Sequence, residues 1–585
     1  MQYLSKLLIF FIIINISIQA VAQTQTNKIS LKTTNNLELP DLQVGVNIGE
    51  LSMCNLVKRS GGWQKGNAWN SSLVKRTELD DAGYPLASTF TANAGILYFG
   101  NTSTNRVSNI YPFLTDVNAR YVLTWKGDCD AEMTSNATLV SGSKAERRKV
   151  YIISGGTPIV CIKLTAGTNY ATDPLRDLAY WMPNPSNPAI STEGQDFNPI
   201  YLKFLTDQNS GVLRCMDPAF TNASSQITWD NRRPKSHPQQ GSAYSSIGNW
   251  CTNIVPGTAT QTKDAGMAWE YFIDLCNATN KDMWINIPHA VDDDYITKLA
   301  QLIKGDDPDG TGQVGLNSNL RVWIEYSNEI WAGASAFPQG YYADSMATKF
   351  GISRPAFTAR RSCESFQIFQ RVFGETNRLI RIAALWTANG GGYDQAYLNE
   401  IVAYGSTLTP AVKADVMAVT TYFGQGMENY VIDSIDYIHP TSQLYEKTFN
   451  EWEKKLLANK TSTTGRDVTG SISETFLNWS TQYDLPIVAY EGGVGFPLAT
   501  IVDFYDGVRG SKGPGIPGSD FTIATNGTTG ALRVVVESGT SDYNDVSFNI
   551  SGTKNICDNA WHQVAVVLPA GKSHVADLLL YVDGV

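Results

Sequence analysis

The stretch RVWIEYSNEIW (residues 321–331) decides how this chain is read. It opens on Val322, Trp323 and Ile324, an uninterrupted apolar run of the kind found in strands buried on both faces of a parallel sheet. It closes on Ser327-Asn328-Glu329, which gathers polar and ionisable groups at the strand's C-terminal end, with Trp331 just beyond. The same grammar repeats outward in both directions. Upstream, GVLRCMD (211–217) and MWINIPH (283–289) are apolar strands. Between them Met267, Tyr271, Phe272 and Leu275 recur at helical spacing over 266–277. After 289, Asp292, Asp293 and Asp294 supply a helix cap and first-turn negative charge. Ile296, Leu299, Ala300 and Ile303 form the apolar stripe of that helix. Downstream come LIRIAALW (379–386), VMAVTTYFG (416–424) and LPIVAYEGG (485–493), with helical segments between them. DLQVGVNI (41–48) adds an earlier strand. Strands alternating with amphipathic helices specify a parallel α/β sheet, and six or seven of them in sequence favour a (β/α)8 TIM-like barrel over a doubly wound sheet.

The flanks read differently. Residues 1–22 carry Lys6, an apolar run from Leu7 to Ile18, and Ala20-Val21-Ala22 before Gln23, the pattern of a secretory signal peptide cleaved between Ala22 and Gln23. The mature chain is therefore expected outside the cytoplasm, secreted or at the cell surface or in a periplasm. Residues 23–54 hold a polar lead-in and the first barrel strand. Residues 55–185 contain short β-prone runs, RYVLTW (120–125), KVYII (149–153) and PIVCIKL (158–164), between Gly, Asn, Asp and Ser clusters, which predicts a β-rich, sandwich-like domain. The barrel region spans 186–506, GVRGSKGPGIPGS (507–519) is a linker, and 520–585 is a second all-β module.

Composition excludes several functions. The net charge is −10 and no run of five or six like charges occurs, so a nucleic-acid-binding face is not expected. No apolar stretch after the leader reaches the ~20 residues of a membrane span. Cys54, Cys129, Cys161, Cys215, Cys251, Cys276, Cys363 and Cys557 are widely scattered and predict a few disulfides plus buried thiols, without fixing the pairing. There is no C-x-x-C, and the five histidines never stand at zinc-ligand spacing, so neither metal nor cofactor is expected. Gly310-x-Gly312-x-x-Gly315 follows a helix and precedes a strand, the reverse of a dinucleotide loop. Asn136, Asn222 and Asn277 begin N-x-S/T sequons, which matter only in a glycosylating host.

Two strand ends carry chemistry. Glu329 closes one apolar strand, and Glu491 closes another, before Gly492 and Gly493. In a barrel both stand at the C-terminal mouth, where active sites form. Two carboxyls sharing one pocket suit glycoside hydrolysis: one stays protonated to serve the leaving oxygen, the other stays ionised. Asn328-Glu329 followed by Glu491 resembles the large retaining clan A of glycoside hydrolases. Counting from 41–48, Glu329 ends strand four and Glu491 strand seven, the positions that clan uses. The resemblance covers residues 40–54 and about 199–495. It implies Glu329 as acid/base, Glu491 as nucleophile and Asn328 as a sugar-hydroxyl ligand. Tyr422 matches the clan's tyrosine on strand six, and His289 a histidine that some members carry at the end of strand three. Arg214 is expected to hydrogen-bond Glu491, Trp331 and Trp386 to stack on sugar or pack the barrel, and Glu325 to be structural. IPHAVDDDYI and EYSNEIW also resemble secreted proteins labelled cellulose-binding.

AWHQVAV (560–566) and LYVDG (580–584) resemble the laminin-G-like, concanavalin-type jelly roll, which implies a sugar- or protein-binding module. Two departures stand out. After Glu491 only 496–506 precedes the linker, where the clan expects a further helix and an eighth strand. The jelly roll stops at Val585, after a turn that ordinarily leads to another strand, so this module reads as incomplete. The expected function is a secreted hydrolase of a polysaccharide or oligosaccharide, most consistent with a β-glycan. The C-terminal module would meet a surface glycan or a protein. The alternative is a non-catalytic carbohydrate-binding or adhesion protein built on a degenerate barrel.

Overall fold

The computed structural model describes residues 44–48, 51–60, 63–65, 78–89, 94–99, 118–135, 137–153, 160–208, 210–222, 224, 226–240, 266–332, 337–374, 377–387, 391–423, 474–494 and the strands 518–525, 531–539, 546–555, 564–567 and 579–582. The leader, most of the linker and the side chain of Tyr422 lie outside this set.

Seven parallel strands succeed one another along the chain: Val44–Asn47, Ser210–Arg214, Asp282–Ile287, Val322–Tyr326, Leu379–Ala384, Val416–Phe423 and Ile487–Val494. They pair in that same order, and the sheet curls into a nearly closed α/β barrel. At its open seam the Asn47 side-chain amide donates to the Tyr490 carbonyl at 3.4 Å, tying the first strand to the seventh.

The pleat sorts the side chains into two layers, since alternate residues face opposite sides of a strand. Val212, Trp284, Trp323, Ile380, Ile382, Val416, Ala418 and Tyr490 fill the barrel interior together with Trp331. Trp284 and Trp323 stack there with ring centroids 5.3 Å apart and planes 8° from parallel. Met283, Ile285, Ile287, Val322, Ile324, Met417 and Val419 face outward into a larger core shared with the helices. Those helices include Trp269–Thr279, Asp293–Lys304, Pro338–Phe350, Arg354–Phe373, Gly392–Gly405 and Glu474–Tyr483. Asp292 caps the second of these by accepting from the Tyr295 amide, and Gly305 ends it in the left-handed region that glycine tolerates. A buried ion pair anchors the fifth strand: Arg381 Nε and Nη2 each lie 2.8 Å from an Asp415 carboxylate oxygen.

Between the first and second barrel strands the chain forms two four-stranded antiparallel sheets. One pairs Trp63–Lys65, Ala94–Phe99, Val160–Ala166 and Cys129–Ser135 in that spatial order. The other pairs Ala137–Ser143, Arg148–Ile153, Tyr121–Lys126 and Arg176–Trp181. Trp63, Leu123, Ala131, Tyr151, Ile162, Leu178 and Tyr180 belong to one core between them. This β-rich part and the barrel form one compact unit. Lys58 joins them, donating from its buried ammonium to the carbonyls of Lys235 and His237 at 2.9 Å each. Burial pulls that ammonium down to about 8.

The C-terminal strands belong to a second compact unit. Gly518–Thr525, Ala531–Gly539 and Val546–Asn555 make an antiparallel sheet, and Val564–Val567 pairs with Leu579–Val582.

The expected disulfides are not found among the described cysteines. Cys54, Cys129, Cys215, Cys276 and Cys363 are free thiols, each buried. The side chains of Cys161, Cys251 and Cys557 lie outside the described residues. Among the described residues no helix is long and apolar enough to cross a membrane.

Candidate active site

The C-terminal ends of the second, fourth and seventh strands converge on the Arg214 guanidinium. Arg214 leaves the second strand almost wholly buried. Its Nε donates to Glu325 Oε2 at 3.1 Å, and its Nη2 lies 3.2 and 3.0 Å from the two Glu325 oxygens. Nη2 also donates to Asn328 Oδ1 at 2.8 Å. Nη1 faces Asn47 Oδ1 at 3.4 Å and Glu491 Oε2 at 3.9 Å. The Arg214–Glu491 contact is thus an ion pair, while the strong bidentate partner is Glu325.

Glu329 is aimed by an unusual turn. Ser327 and Glu329 both have positive φ, 62° and 40°, a region that side chains with a Cβ rarely occupy. The surroundings hold this strained turn in place. Gln339, on the following helix, donates to the Asn328 carbonyl at 2.8 Å and to Asn222 Oδ1 at 2.7 Å. Asn222 Oδ1 also accepts from Asn328 Nδ2 at 3.1 Å. The Asn328 amide is therefore oriented at both ends, with Oδ1 toward Arg214.

Glu491 reaches the same place through a break in register. Val419 pairs with Ala489 but Thr420 pairs with Glu491, which leaves Tyr490 as the extra residue of a bulge. The bulge brings consecutive residues to the site. The Tyr490 ring packs 6.0 Å from Trp331 and lies 5.4 Å from the Arg214 guanidinium carbon, while Glu491 meets Arg214 at its Nη1.

The two carboxyls have different surroundings. Burial pushes Glu329 up to about 7, and the neighbouring charge of Glu491 adds to that push. Arg214 and the Tyr490 hydroxyl act the other way, and Glu325 adds a further upward push. Glu329 is thus half protonated near neutrality. Glu491 stands against the cation itself. Burial also raises Glu325, opposed first by Arg214 and then by Trp284, whose indole N–H lies 2.7 Å from Oε2.

The remaining predicted residues divide. Trp331 is 4% exposed and packs in the barrel interior, which favours packing over stacking on a ligand. Trp386 is half-buried against that interior, and its backbone amide donates to Asp394 Oδ1 at 2.8 Å. His289 packs edge-on against Tyr342 of the Pro338–Phe350 helix at 5.0 Å, and among the described residues its ring nitrogens have no hydrogen-bond partner. Burial lowers it to about 4, so the ring is neutral. Tyr422 pairs through its backbone with Gly493, two residues beyond Glu491. Glu325, Tyr490, Asn222 and Gln339 were not picked out from the sequence as site residues. Glu325 carried a signal, being an acidic residue inside an apolar strand; Tyr490 stands next to Glu491 in the chain, and Asn222 and Gln339 are joined to the site by tertiary contacts alone. Among the described residues no group of His, Cys, Asp and Glu side chains could hold a metal.

No family model, no curated protein and no solved structure matches this chain.

Proposed function

We propose that the chain is a glycoside hydrolase that cleaves a polysaccharide, of β-glycan type, by retaining double displacement. The observation that carries this reading is the unequal environment of two neighbouring carboxyls: Glu329 pushed up to about 7, and Glu491 set against Arg214. Environments that separate two such groups assign an acid and a nucleophile. In the first step the Glu491 carboxylate attacks the anomeric carbon, the glycosidic C–O bond breaks, and Glu329 gives its proton to the departing oxygen. In the second, Glu329 takes a proton from water, whose oxygen displaces Glu491 from the sugar. Asn328 has a second amide N–H beyond the one given to Asn222, suited to a sugar hydroxyl. The partly exposed Trp386 would face the substrate.

In this reading the protein is exported, with Gln23 as its mature N-terminus, and the C-terminal strands form a lectin-like module for a surface glycan or protein. The test is reducing-end release from a panel of β-glycans by the full chain and by Glu491→Gln. The variant should lose turnover by on the order of a thousandfold or more while still binding. Unchanged turnover in the variant would remove the nucleophile assignment. Wild-type binding without released ends would select the carbohydrate-binding alternative.

A further inference from the structure

Glu325 lies in the fourth strand four residues before Glu329, with its side chain 1% exposed. A carboxylate that deep persists only when paired and hydrogen-bonded. Here one edge of the Arg214 guanidinium and the Trp284 indole fill that role. The guanidinium is planar and rigid, so fixing one edge fixes the direction of every other N–H. With Nε and one side of Nη2 committed to Glu325, the rest of Nη2 is aimed at Asn328 Oδ1 and Nη1 at Asn47 and Glu491. Trp284, stacked on Trp323, donates its indole N–H to the same carboxylate.

We propose that Glu325 is a positioning residue that clamps Arg214 so that one guanidinium nitrogen is presented to Glu491 and another to Asn328. The assignment rests on the reading of Glu329 and Glu491 as the reacting pair. It has an electrostatic consequence besides the geometric one. Paired with Glu325, Arg214 is a partly neutralised cation, and the Glu325 charge itself repels a charge on Glu329. Removing the Glu325 charge leaves Arg214 stronger and Glu329 less repelled, so Glu329 gives up its proton more easily.

The experiment compares the full-length wild type, Glu325→Gln and Glu325→Asp. It follows the Glu329 carboxyl by 13C NMR titration, assigned with Glu329→Gln, alongside the pH profile of kcat/KM. In Glu325→Gln the Glu329 midpoint and the basic limb of the profile should both move toward acid by about one pH unit. Glu325→Asp keeps the charge but draws the carboxylate back from the guanidinium. It should leave the midpoint in place and lower kcat/KM by about tenfold through kcat. A folded Glu325→Gln with an unmoved midpoint would overturn the proposal. If that variant does not fold, an Asp variant with wild-type kcat/KM would overturn it. If the wild type hydrolyses no glycan, the hydrolase reading fails, while the NMR midpoint still decides whether Glu325 acts on the site through Arg214.

Discussion

On the proposed hydrolase reading, replacing Glu329 by glutamine should abolish activity and, above neutrality, make the protein more stable. The folded chain raises this carboxyl from its ordinary 4.5 to about 7. At about 1.4 kcal/mol per pH unit, ionising it in the fold costs about 3 kcal/mol more than in the unfolded chain. The group keeps some contact with solvent, which screens the effect to about 2 kcal/mol. The sign follows from proton binding. Below pH 4.5 both states hold the proton and there is no penalty. From 4.5 to 7 the unfolded chain releases its proton while the folded one retains it, so stability declines as pH rises. Above 7 both are ionised and the whole penalty stands. Glutamine never ionises, so Glu329→Gln should match the wild type at pH 4 and exceed it at pH 8. For a unit of this size the gain corresponds to about 2 °C in Tm. Thermal unfolding of both proteins at pH 4, 6 and 8 reads it directly. An equal Tm difference at all three values would show that the carboxyl is not held in the fold against its own ionisation, and the acid assignment would lose its physical basis.

Three further outcomes follow from the packing. Arg381→Met leaves the Asp415 carboxylate buried without its bidentate partner and should cost about 3–5 kcal/mol in chemical denaturation; a loss below about 1 kcal/mol would contradict the pairing. Trp323→Ala opens a hole beside Trp284 in the barrel interior and should cost about 3–5 kcal/mol, with near-UV circular dichroism reporting the lost indole stack. Expressed in a glycosylating host, the protein should carry no glycan at Asn277, whose amide donates to the Gly315 carbonyl at 3.0 Å and accepts from the Asn317 amide at 2.8 Å. An occupied Asn277 in peptide mass spectrometry would refute this statement.

The barrel was readable because its information is local and periodic. Each strand is a short apolar run, each helix repeats at helical spacing, and Asp292 marks a helix start that the structure keeps. Sequential pairing then leaves little freedom in strand order. The β-rich region was legible only as strands. Its pairing, with Val160–Ala166 between Ala94–Phe99 and Cys129–Ser135, depends on contacts between distant segments, which no local pattern encodes. The site shows the same division at smaller scale. Period-two alternation sends Tyr490 and Glu491 to opposite faces, and only the bulge brings both to Arg214. Alternation also makes Glu325 an inward residue, but an inward glutamate reads as structural until its partner is known. That partner, Arg214, lies 111 positions earlier and serves the site as well. Structural and functional roles are therefore not alternatives here. The pair that lets a charge survive inside the barrel is the same pair that directs a guanidinium toward Glu491.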